Sequence, residues 1–292
     1  MTNRAFLAAA AATLLAACSS GGPGESSAAP APADNPFRYD VPSPPTVTYQ
    51  ISDTNTMIMN MPPQGEIDMA QTSSATLALT FVADSGGLRV SGTVSDYSSG
   101  MSSSMMGDMG VGGGEVSGDL EFVIGPWGDV EMVSIPEVTG GPLPVATPFQ
   151  FNAPDLFPRF PGHPLEPGDT WADTMTSSAD LEEVAELSGA GENSTIYTYT
   201  LVGDTVVAGL TLHKITISGF GTMQVSATEV EAGEEVSQDM TSTVDGFYLW
   251  DADRRLVVLA DLVRTVDGMM SMGGLGAMAM TGAGPSRMRL VN

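Results

Sequence analysis

From Thr46 onward, apolar and polar residues alternate with a period of two, and helical periodicity is nearly absent. The first half carries the pattern over 46–51, 56–61, 75–83, 88–96, 115–124 and 129–135. The second half carries it over 195–202, 210–217, 222–229, 241–250, 256–265 and 286–291. These runs are rich in Val, Ile, Thr, Leu and Tyr and are separated by Gly, Asp or Asn. They predict a mainly β body of antiparallel sheets, arranged as a half-barrel, a barrel or a sandwich. Residues 180–187 have a helical alternative, with Leu181, Val184 and Ala185 on one face before Gly189; they read equally as the tip of a long acidic hairpin.

Part of the pattern repeats. Thr80, Val82 and Asp84 recur as Thr200, Val202 and Asp204; Gly87 and Leu88 recur as Gly209 and Leu210; Val116 and Gly118 recur as Val244 and Gly246. The order is kept while the offset drifts, which predicts two duplicated meanders, 46–135 and 172–292. Chance similarity among Thr- and Val-rich strands is the competing explanation. Between the halves, 136–171 is rich in proline and holds Phe149, Phe151, Phe157 and Phe160. So many large apolar groups predict an ordered crossover packed on the sheet.

The N-terminus follows another logic. Arg4 supplies a positive start, and residues 5–17 form an unbroken run of Ala, Leu and Phe with one Thr. As a helix this run spans about 20 Å, short of a hydrocarbon core of roughly 30 Å, so 1–17 reads as a signal peptide. Residues 19–45 are dominated by Pro, Ser, Ala and Gly and are expected to be a disordered tether, leaving 46–292 as the body.

Leu15, Ala16, Ala17 and Cys18 match the bacterial lipobox, so the chain resembles bacterial lipoproteins. That resemblance implies cleavage before Cys18, acylation of its sulfur and attachment to a membrane. Ser19 and Ser20, with no Asp at the second mature position, imply the outer membrane. The passage Pro167, Gly168, Asp169, Thr170, Trp171 resembles one in poorly characterised β-rich envelope lipoproteins, and it brings no catalytic role with it. More distantly, a β body behind a lipobox is similar to the half-barrel periplasmic lipoprotein carriers.

Charge narrows the partners. The 292 residues hold 35 acidic against 10 basic side chains, a formal charge of -25, and Lys214 is the single lysine. Phosphate binding runs on Lys and Arg, so no nucleic-acid partner is expected. The excess acid also suits work in salt, where screening tames self-repulsion. One Cys excludes an intrachain disulfide and a Cys-rich zinc site. His163 and His213 share no metal-ligand spacing, and no nucleophile elbow, phosphate loop or dinucleotide fingerprint is present. Asp245, Asp251 and Asp253 lack the rest of a calcium loop and suggest a turn. A non-catalytic protein without a cofactor is the expectation; a hydrolase without a recognisable motif is a further alternative.

Methionine is the unusual residue, with nineteen in the chain. Met57, Met59 and Met61 fall on one face of a strand, close to Met69 in sequence. Met101, Met105, Met106 and Met109 form a second cluster, and Met269, Met270, Met272, Met278 and Met280 a third. Both lie in Gly- and Ser-rich tracts that read as loop tips projecting from the same end of the body. Flexible thioethers accommodate apolar partners, which makes Met57, Met59 and Met61, with the four crossover phenylalanines, candidates for binding a lipid or other apolar ligand. Thioethers are also soft ligands for Cu(I), the alternative for the second and third clusters. Plain core packing competes with both.

Overall fold

A computed structural model describes residues 35–61, 65–105, 107–139, 147–149, 156–180, 187–229, 235–272 and 276–291. The expected signal peptide, Cys18, Met106, Phe151 and 181–186, the centre of the possible helix, lie outside the described residues.

Period-two patterning becomes strands, and these run longer than the sequence pattern marks. The first half gives β1 (Thr46–Met61), β2 (Gly65–Asp84), β3 (Gly87–Ser103), β4 (Gly107–Gly113), β5 (Glu115–Ser117), β6 (Leu120–Ile124) and β7 (Val130–Ser134). The crossover contributes β8 (Glu137–Thr139) and β9 (Thr147–Pro148). The second half gives β10 (Thr170–Asp180), β11 (Leu187–Val207), β12 (Leu210–Glu229), β13 (Glu235–Asp251), β14 (Leu256–Met272) and β15 (Gly276–Leu290). Thus 46–51 and 56–61 fuse into one strand, as do 210–217 and 222–229.

Twelve of these strands form one antiparallel sheet in the order β10-β11-β12-β13-β14-β15-β1-β2-β3-β6-β7, with β4 on β3; β5-β8-β9 form a small second sheet. Two five-stranded meanders, β1-β2-β3-β6-β7 and β10 to β14, therefore share one sheet and are joined at the seam where β15 pairs β1. They match in detail. The hydroxyls of Thr46 and Thr80 meet at 3.0 Å, and those of Thr170 and Thr200 at 3.1 Å. The Phe81 amide donates to the Pro45 carbonyl, as the Leu201 amide donates to that of Asp169.

The end strands β7 and β10 do not pair with each other, so the sheet is not closed. Residues 158–160 of the crossover reach both. The Phe160 amide donates to Trp127 in the β6–β7 turn, and the Trp171 indole on β10 donates to the Arg159 carbonyl. Arg159 bridges Asp173 on β10 at 2.7 Å and Asp129 beside β7 at 3.5 Å.

The core fills the half of the inner face nearest the 84–87, 207–210 and 251–256 turns. Tyr49, Leu77, Leu79, Val90, Phe122, Ile124, Tyr199, Ile215, Tyr248 and Trp250 supply it from the sheet. Phe37, Tyr39, Phe157 and Phe160 cover them. Their polar tips are satisfied: the Tyr49 hydroxyl donates to Val257, that of Tyr39 to Pro158, and the Trp250 indole to Pro36. Burial pushes the Tyr197 hydroxyl up to about 12. Phe37 and Tyr39 correct the expected tether boundary at Pro45: these two aromatics gain more by burial than extended chain gains in entropy, and the ordered body begins at Asn35.

Candidate functional site

Past the aromatic core the long strands continue, and their inner positions change character twice. First comes a polar belt: Asp53 and Asn55 on β1, Ser73 and Gln71 on β2, Ser286 on β15 and Arg264 on β14. Burial raises the Asp53 carboxyl from its ordinary value, against the lowering pull of the Ser286 hydroxyl and the Arg264 charge. Burial also lowers Arg264, so desolvation outweighs the mutual attraction of the two.

Beyond the belt the inner positions are methionines. Cross-strand register opposes Met57 to Met69, Met59 to Met280, Met270 to Met278, and Met223 to Met240. Met101, opposite Gln71, extends the zone to β3, and Met175, opposite Thr195, extends it to β10. Glycines lie between them on the same face: Gly282 opposes both Met57 and Val266, and Gly268 opposes both Met280 and Met240. Met278 and Met280 are buried; Met57, Met59, Met69, Met101, Met175, Met223, Met240 and Met270 are half-buried. Directly opposed side chains have Cβ atoms about 5 Å apart, so the paired thioethers form apolar patches, interrupted by Gln71, Gln238 and Thr195 on the same face.

The other face is polar. Ser52, Thr54, Thr56, Thr72, Thr222, Thr241, Thr243, Thr265, Asp267 and Thr281 alternate with the inner set. The Thr243 and Thr265 hydroxyls meet at 2.7 Å, and the Thr241 hydroxyl donates to the Asp267 carbonyl. Ile58, Val82, Ile196, Phe220, Val263 and Met269 are among its exposed apolar exceptions. A membrane-spanning barrel has the opposite arrangement, with apolar groups outward and polar ones inward. A cleft of about 480 Å³ at the far ends of β1, β2 and β3 is lined by Thr56, Met57, Ile58, Asp68, Met69 and Ser102.

The candidates divide accordingly. Met57 and Met59 share the inner face; Met61 belongs to the same strand, and its side chain lies outside the described residues. Met101, Met269, Met270, Met272, Met278 and Met280 are corrected from loop tips to strand residues, because Gly- and Ser-rich tracts extend the ladders by backbone pairing alone. Met109 is on β4, whereas Met105 stands exposed in the β3–β4 turn. Phe149, Phe157 and Phe160 are buried in the core, Phe149 edge-on to Tyr97 at 5.9 Å. Met175, Met223 and Met240 lie outside the sequence clusters, and only strand register reveals them.

No metal-sized group of three or more His, Cys, Asp or Glu exists among the described residues. His213 pairs with Asp204 at 2.7 Å, and His163 contacts the Pro164 carbonyl. The Asp251 carboxylate accepts the amides of Asp253 and Arg254, which is a turn role.

No family model and no curated protein sequence matches the chain. Among solved structures, Pseudomonas aeruginosa OccK2 (OpdF) is similar at 10% identity and a TM-score of 0.31, over 84% of this chain and 98% of that one. The same protein in complex with glucuronate gives 8% identity and a TM-score of 0.27, over 85% and 98%. At these values the likeness assigns neither fold nor function.

Proposed function

We propose that this chain is a lipid-anchored, non-catalytic protein of the bacterial cell envelope, held at the outer membrane through acylated Cys18, and that its methionine-lined face binds an apolar ligand with an acyl chain. The observation that carries the reading is the sidedness of the long strands. Methionines drawn from eight strands meet on the inner face, while Ser, Thr and Asp cover the outer one. Core packing accounts for the aromatic half of the sheet, but ten half-buried or buried methionines beyond a polar belt form a second apolar zone. Thioether side chains adapt to a flexible chain better than branched ones do. The belt of Asp53, Arg264 and Gln71 supplies polar groups at the border of that zone, where an amphiphile's head could sit.

The test is lipid extraction and mass spectrometry on protein exported to the envelope with Cys18→Ser, purified without detergent. Co-purifying acyl lipid near one per chain is expected; its absence, together with failure of added fatty acid to bind, overturns the reading.

The opposed pairs Met59–Met280, Met270–Met278 and Met223–Met240 favour a second reading, Cu(I) held by thioethers. Replacing these residues by Leu separates the two: acyl binding survives Leu, and Cu(I) binding does not.

A further inference from the structure

The two meanders differ at the hairpin that joins their second and third strands. In the first, Asp84 pairs with Arg89 at 3.3 Å and the chain turns at once through Ser85 and Gly86. In the second, Asp204 pairs with His213 at the corresponding place, yet β11 and β12 continue together beyond it, with Thr205 opposite Leu212, Val206 opposite Thr211 and Val207 opposite Leu210. Counted from the equivalent pairs Phe81–Val90 and Leu201–Ile215, across the irregularity at Val202, the second hairpin is two residues per strand longer, which carries the tip about 7 Å past its counterpart. Ala208 and Gly209 close it with positive φ, the backbone of a tight hairpin turn. Such a tip in water favours Asn, Asp or Gly, but here Val206 is 69% exposed, Leu210 50% and Val207 43%. No charged residue occurs from Thr205 to Leu212, in a chain whose formal charge is -25.

The first described residues lie near the root of this hairpin. Phe37 packs against His213, ring to ring at 5.0 Å, at the root of the overhang, and the described chain begins two residues earlier at Asn35. Cys18 lies 17 residues before that point, within reach for a short tether.

We infer that the β11–β12 tip is a membrane contact: Val206, Val207 and Leu210 dip into the surface of the bilayer that holds Cys18. This rests on the anchoring part of the proposed function. The acyl chains on Cys18 supply the attachment, and an uncharged apolar finger adds a second point of contact that an acidic body cannot supply by charge. It also sets orientation, because the methionine-rich ends of the strands lie at the opposite end of the sheet from this turn.

The experiment uses the full chain, processed and purified from membranes, with Val206→Cys or, at the opposite end, Met105→Cys, labelled with an environment-sensitive thiol dye and placed in phosphatidylcholine–phosphatidylglycerol vesicles. An acylated Cys18 leaves the new thiol as the sole labelling site. The dye at 206 is expected to shift to the blue and be quenched by spin-labelled lipid, and the dye at 105 to report water. Adding Val207→Asp and Leu210→Asp is expected to abolish the shift at 206. One dye per vesicle-bound chain with the same watery emission at both positions overturns the membrane contact and leaves the anchor standing. Two dyes per chain, from a free Cys18 thiol, overturn the anchor and the contact with it.

Discussion

Asp53 is a carboxylate held where water is scarce, and its raised pKa has a consequence of definite sign. A carboxyl that binds its proton more readily folded than unfolded favours the folded state as pH falls from the raised value to 3.8, and its penalty is fully present above that window. The stability of the natural chain relative to Asp53→Asn is therefore expected to rise on acidification through this range. Urea unfolding of both proteins across pH checks it; a constant difference contradicts it. Gly246 is a second informative residue. A Cβ there collides with the Asp261 carbonyl oxygen and sits 2.9 Å from the Leu262 Cα, backbone that cannot step aside. Gly246→Ala should cost about 1–3 kcal/mol in thermal or urea unfolding. At this scale the sequence was readable where chemistry is local, as with Asp251 capping its own turn. It was unreadable where a residue's meaning depends on what lies opposite, as with Gly246 or Met240.

Among the elements, the alternating stretches marked the other long strands but not their ends, and they missed β10. Glycine, serine and methionine dominate the far halves of β3, β14 and β15, and these residues look like loop in a one-dimensional reading. Their ladders persist because each pairs with a neighbour already fixed by the aromatic core. The seam between β1 and β15 was invisible for a related reason, since nothing local marks two strands that are more than two hundred residues apart. The crossover's aromatic content did predict an ordered segment. Its further task, tying both end strands through Arg159, follows from geometry alone. Arg159→Gln is expected to lower hydrogen-exchange protection across β10 and β7 while leaving the β1–β15 seam unchanged. Equal loss at the seam contradicts the clasp.

For the whole molecule, two meanders in one unclosed sheet give an aromatic half that holds the main core cluster and a methionine half beyond the polar belt. A formal charge of -25 opposes the compact state at low ionic strength, so stability is expected to increase between low and molar salt. A thermal unfolding series that stays flat contradicts this. Cys18→Ser is expected to move the protein from the membrane to the soluble fraction of the envelope. The central claim is that the methionine face takes an acyl chain, and the most direct measurement is titration of a fluorescent fatty acid into three proteins. These are the natural sequence, Met59→Leu/Met240→Leu/Met280→Leu, and the same positions changed to Lys. Saturable binding near one per chain, kept by the Leu protein and weakened at least tenfold in the Lys protein, is the expected result. Binding that is absent, or equal in all three, contradicts it.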